Sequence, residues 1–122
     1  MNLADLHIRR HDGVIVVKVT GEVDMSNAGE LRNAILEATP NDALGCVLDF
    51  TALGYIDSAG IQLLYRLGDN LRAHGQTLRI VIPPGSPASD ALRLAGVKRH
   101  VDIVTELDEG MRAVAMSGAR TE

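Results

Sequence analysis

A chain of 122 residues is long enough for one domain with its own core and too short for two. Its 46% of apolar residues come mostly from Val, Ile, Leu and Ala, and Phe50, Tyr55 and Tyr65 are the whole aromatic set, which argues against the stacking platforms that hold single-stranded nucleic acid. A net charge of −4, with Lys and Arg scattered apart from the pairs Arg9-Arg10 and Lys98-Arg99, leaves no clustered basic footprint for DNA or RNA.

The predicted elements follow in chain order. Leu6 and Ile8 alternate with His7 and Arg9 up to a tight turn at Asp12-Gly13, and the β-branched run from Val14 to Val19 completes an antiparallel hairpin. Gly21-Glu22-Val23-Asp24 leaves the strand, and Ser26 or Asn27 can cap a helix. That helix has Ala28, Leu31, Ile35 and Ala38 on its apolar stripe and Glu30, Arg32, Asn33 and Glu37 outside. Cys46 to Phe50 is the next strand, followed by a helix with Ile61, Leu64, Leu67 and Leu71 at helical spacing and Gly75 at its C-terminal stop. Leu78 to Ile82 is a further strand. Ser86-Pro87 places a cap and a first-turn proline before a short helix that Gly96 ends. Val101 to Val104 forms the last strand, and Thr105 with Asp108 resembles a capping box before a helix with Leu107, Met111, Val114 and Ala115 on its apolar side. A core from about residue 6 to 114 and a frayed tail over 116–122 are expected within a single domain, 1–122.

Strand–helix alternation after an opening hairpin predicts an α/β fold with a mainly parallel β-sheet, an antiparallel N-terminal edge hairpin and about four helices. Leu48, Ile80, Ile82 and Ile103 alternate with Asp49, Arg79 and Asp102, so helices should cover one face more fully than the other. Cys46 is the only cysteine and lies inside an apolar strand, which predicts a reduced, buried thiol. Met1 to Asp5 lacks a signal-peptide pattern and no apolar stretch approaches membrane-spanning length, so a cytoplasmic chain without membrane insertion is expected.

Asp57-Ser58-Ala59-Gly60 carries the functional signal, because it sets a hydroxyl where an apolar strand gives way to an amphipathic helix. Unpaired N–H groups and the positive end of the helix dipole favour added negative charge there. Ser58 is then a helix cap, a phosphoryl acceptor, or both. Asp57 is a second cap or part of a partner surface. Asp24 complements the first helix or joins that surface. Gly60 relieves crowding where loop meets helix or contacts a nucleotide, and Gly21 and Gly54 read as turn residues.

Three motifs together carry a family resemblance: Thr20-Gly21-Glu22-Val23-Asp24, Leu48-Asp49-Phe50-Thr51 and Tyr55-Ile56-Asp57-Ser58-Ala59-Gly60-Ile61. From about Leu6 to Val114 the chain resembles the STAS domain, and within it the bacterial anti-sigma-factor antagonists. The resemblance implies partner switching. An anti-sigma factor with a GHKL-type serine kinase fold binds the unphosphorylated antagonist, releases its sigma factor, and phosphorylates the motif serine; a PP2C-type phosphatase resets the switch. Ser58 falls on the phosphorylated position, Asp24 and Asp57 on the flanking acidic ones, and Ala59 stands where serine is common in the family. Asp24, Asp57, Ser58, Ala59 and Gly60 are accordingly the expected partner-binding residues.

Two other classes compete with this one. A hydrolase using Ser58 as nucleophile needs glycine two residues before it, where Ile56 stands, and the order Ser58, Asp90, His100 imitates a triad on far too little chain. No catalytic role is expected. The other alternative is a constitutive STAS interaction module, such as a lipid-transporter subunit or a stress-sensing scaffold. His7, His11, His74 and His100 are too dispersed for a metal site, and no cofactor is expected.

Overall fold

The computed structural model describes residues 4–119. Strands β1 (Ala4–His11) and β2 (Val14–Val23) form the predicted hairpin, with Asp12 and Gly13 at φ of 51° and 82°, the left-handed pair that a two-residue hairpin turn demands. Then come α1 (Ala28–Ala38), β3 (Gly45–Asp49), β4 (Leu53–Ile56), α2 (Ser58–Ala73), β5 (Thr77–Val81), α3 (Pro87–Leu94), β6 (Asp102–Val104) and α4 (Leu107–Ala119). The sheet runs in the order β1-β2-β3-β5-β6, with every pair after the hairpin parallel. The sequence reading of a mainly parallel α/β sheet with an antiparallel N-terminal edge and four helices holds.

β2 is longer than predicted, and this shapes the functional end of the molecule. Its first half, Val14 to Lys18, pairs with β3, whereas Gly21 to Val23 pair with the unforeseen β4. The register shifts between Gly21 and Glu22, where Gly21 has φ of 105°. Gly21 is therefore not a turn that ends the strand but a bulge that bends it towards a second partner. The Gly54 expectation is corrected likewise, since that residue lies within β4.

Side chains on the two sheet faces build two cores of unequal size. Ile15, Val17, Val19, Cys46, Leu48 and Ile80 join Leu31 and Ile35 of α1, Leu64 and Leu67 of α2, and Leu92 of α3. On the other face Val14, Val16, Val47 and Val81 meet Val114 of α4, with Leu107, Met111 and Ala115 packed around them. Three helices thus cover one face and one covers the other, as the alternation predicts, although the thinner face is more apolar than Asp49, Arg79 and Asp102 suggested. At the start of α4 the Gly110 N–H donates to the Glu106 carbonyl, which moves the helix start past the expected Thr105 cap. That helix continues through Ala119, so residues 116–119 are helical and the rest of the expected frayed tail lies outside the described residues.

Cys46 is buried in the larger core, and burial pushes its thiol up to about 12 from an ordinary value near 9.0. The folded state binds the thiol proton more tightly than the unfolded chain does. The associated stability is thus complete below the unfolded value and is lost as pH climbs towards about 12. A thiol reagent at pH 8 is expected to label Cys46 only after denaturant is added, and rapid labelling of the native protein would contradict this burial.

Candidate functional site

The site sits where the C-terminal ends of β2 and β4 lie side by side, Glu22 opposite Tyr55 and Val23 opposite Ile56. This pairing brings two segments far apart in sequence, the β2–α1 loop and the β4–α2 junction, to the C-terminal end of the strands. The Asp57 N–H extends the ladder by donating to the Val23 carbonyl at 3.1 Å.

Asp57, not Ser58, is the cap of α2. Its Oδ1 accepts the Gly60 N–H at 3.1 Å, and its Oδ2 accepts the Met25 N–H at 3.3 Å. One carboxylate therefore satisfies an orphan donor of the helix and ties the neighbouring loop to it. The cap reading of Ser58 is corrected for the same reason. Ser58 is the first helical residue, exposed, and its hydroxyl makes no hydrogen bond with the described residues.

The β2–α1 loop is held from both sides. Asp24 Oδ1 accepts the Ser26 hydroxyl at 2.6 Å and the Ser26 N–H at 2.9 Å, and those two bonds hold its carboxyl below the usual carboxylate range. Asn27, only 2% exposed, occupies the cap position of α1 but turns its side chain back towards the strand. Its Oδ1 accepts the Asp24 N–H at 3.0 Å and its Nδ2 donates to the Glu22 carbonyl at 2.9 Å. This buried amide was legible only as a possible cap. The signal that gives it away is the non-local β2–β4 pairing, which buries the loop base.

Of the expected partner-binding residues, Asp57, Ser58 and Ala59 line one open hollow of about 430 Å³ together with Met25, Gln62 and Tyr65. Met25 is 83% exposed at the rim of this hollow. Asp24 lies one residue from this rim. Gly60 is buried instead, and a Cβ there would fall 2.5 Å from Ile56 Cγ1 and 2.9 Å from Val23 Cγ1. Its place in the site is to let the helix start close onto the strands, and its side of the helix reaches no surface.

The imitation of a triad dissolves on inspection. Asp90 pairs with Arg93 at 3.4 Å, and the His100 ring stands edge-on to Tyr65 with centroids 4.9 Å apart. Neither is hydrogen-bonded to Ser58. Among the described residues no three His, Cys, Asp or Glu side chains are grouped to hold a metal ion, and no helix is long and apolar enough to cross a membrane.

A mixed six-stranded sheet with an N-terminal hairpin, four helices and a serine at the start of the helix after β4 defines a STAS-type α/β domain. A profile of the STAS domain matches residues 5–110, and the chain belongs to that family. It is 26% identical over 105 residues to the anti-sigma-F factor antagonist RsfB of Mycobacterium tuberculosis, covering 85% of this chain and 84% of that one. The crystal structure of an anti-sigma factor antagonist from Mycobacterium paratuberculosis superposes with a TM-score of 0.82 at 27% identity, over 92% of this chain and 94% of that one. The Bacillus cell fate determinant SpoIIAA, in its phosphorylated form, shares the fold with a TM-score of 0.58 at 19% identity, over 89% and 99% of the two chains.

Proposed function

We propose that this chain is an anti-sigma-factor antagonist whose unphosphorylated form binds an anti-sigma factor of GHKL serine-kinase type and frees the sigma factor. Phosphorylation of Ser58 switches it off, and a PP2C-type phosphatase restores it. The observation that carries the reading is the exposed, unbonded hydroxyl of Ser58 at the first position of α2, beside Asp57 and near Asp24. RsfB and the Mycobacterium paratuberculosis protein, both named as anti-sigma factor antagonists, support it over nearly the whole chain.

The chemistry of the switch follows from that position. Because Asp57 caps the helix, Ser58 is free to be modified without loss of a cap bond. A phosphoryl group adds roughly −1.5 to −2 charges and three strong acceptors, and the positive end of the α2 dipole tolerates them without melting the helix. The same charges intensify the negative rim of Asp24 and Asp57. A partner seated flush on the Met25–Tyr65 hollow then meets repulsion and loses contact area.

Incubation with the cognate GHKL-type anti-sigma factor and ATP tests the reading, with the modified residue located by phosphopeptide mass spectrometry. Label is expected on Ser58, and Ser58→Ala is expected to fold normally, take no label and stay bound. Label found mainly on Ser26, Ser86, Ser89 or a threonine would overturn the assignment.

A further inference from the structure

A second hollow, of about 230 Å³, opens between α1 and α2 and is lined by Arg32, Gln62 and Arg66 over Ala28, Gly29 and Ala59. It adjoins the Ser58 hollow, since Ala59 and Gln62 line both. Its chemistry is opposite in sign to the Asp24–Asp57 rim beside it. Arg32 was expected on the outer face of α1. The structure instead half-buries it, and its Nε is sealed from solvent with no hydrogen-bond partner. A buried N–H without an acceptor is rare in folded proteins and costly to maintain. Arg10, Arg72, Arg79 and Arg93 each pair with an aspartate; of the described arginines without an acidic partner (Arg9, Arg32, Arg66, Arg99 and Arg112), Arg32 and Arg66 are the two that line this hollow.

We infer that this groove receives an aspartate or glutamate side chain of the anti-sigma factor, gripped by the guanidinium edge of Arg32 with Arg66 as the second cation. The inference rests on the functional reading above and names where that partner is recognised. A carboxylate fits because its two oxygens match the paired Nη N–H groups of a guanidinium; the sealed Nε takes no part in the contact. It arrives attached to a protein because the groove is open and adjoins the surface on which the partner is proposed to sit. The paired signs, acidic rim and cationic groove, fix the register of the docked partner. They also give phosphorylation a second point of action. A phosphoryl group on Ser58, next in the chain to Ala59 of the groove wall, adds charge that repels the incoming carboxylate.

The test is isothermal titration of the anti-sigma factor that phosphorylates Ser58, against wild type and three variants. Arg32→Gln is expected to weaken binding at least about tenfold, Arg66→Gln by less because that side chain is exposed, and Arg32→Lys to recover only a minor part of the loss because an ammonium lacks the fork. Thermal unfolding of each variant guards against misfolding, and Arg66→Gln lies on an exposed face where folding is insensitive. Rescue of Arg32→Glu by one acidic-to-arginine change on the anti-sigma factor would establish the pairing. Wild-type binding with Arg32→Gln and Arg66→Gln both within twofold of it overturns this inference alone. A wild type that does not bind the anti-sigma factor overturns the functional reading and the inference with it.

Discussion

Ser58→Glu is expected to weaken binding to the anti-sigma factor roughly 10- to 100-fold at low ionic strength, and by clearly less near 0.15 M salt. The difference between the two buffers is the informative quantity. Like charges at a contact repel over a Debye length of about 30 Å in 0.01 M salt and about 8 Å at physiological strength, so an electrostatic switch is blunted by salt and a steric one is not. The fold should hardly notice. Ser58 is exposed and free of hydrogen bonds, and a carboxylate at the first position of α2 is favoured by the dipole while disfavoured by Asp57 next to it. Stability is therefore expected to stay within about 0.5 kcal/mol of wild type. Glutamate carries one charge where phosphate carries nearly two and has fewer acceptors, so it reproduces the modified state only in part. Isothermal titration in the two buffers, with Ser58→Ala as the neutral control, reads this directly. Affinity unchanged in both would place Ser58 outside the interface and favour the constitutive interaction module.

Features written in adjacent residues were legible from the sequence. Asp12-Gly13 specified its hairpin because both residues tolerate positive φ, and Ser86-Pro87 specified the start of α3, where the Ser86 hydroxyl accepts the Ser89 N–H at 3.0 Å. What escaped depends on partners remote in the chain. β4 has four residues, only Leu53 and Ile56 buried, and a glycine between them, so no periodicity announces it; it forms because β2 outruns β3 and its last residues need a neighbour. The choice between Asp57 and Ser58 as cap turned on one residue, and both types suit the position. The Asp57–Met25 bond, 32 residues apart in sequence, ties the carboxylate to the loop as well as to the helix. Helical spacing puts Arg32 outside the apolar stripe of α1. Packing of α1 against α2 decides otherwise, and helical spacing alone cannot reveal which flank of α1 the second helix covers.

Gly45→Ala is expected to be the most damaging single-methyl change, costing about 3 kcal/mol or more and abolishing the cooperative transition if the strand pairing cannot adjust. Gly45 begins β3 opposite Thr77 of β5, and a Cβ there would lie 2.2 Å from the Thr77 carbonyl oxygen, 2.9 Å from the Thr77 nitrogen and 2.9 Å from Val114 Cγ1. Two of those three atoms are backbone at the paired starts of β3 and β5, so relief requires parting the strands there. Gly60→Ala meets comparable distances, but its neighbours are side-chain rather than backbone atoms, from the buried, β-branched Ile56 and Val23, and a smaller loss of roughly 1–3 kcal/mol follows. Gly29→Ala reverses the sign. Nothing lies within 4 Å of its Cβ position on α1, so the alanine contributes helix propensity and a stiffer unfolded chain, together a few tenths to about 1 kcal/mol of added stability. Urea unfolding of the three variants measures all of this. A Gly45→Ala protein as stable as Gly29→Ala would mean that β3 and β5 do not approach as closely as this packing requires. The order Gly45, Gly60, Gly29 in loss of stability instead follows from whether backbone, side chain or solvent occupies the space each new methyl group enters.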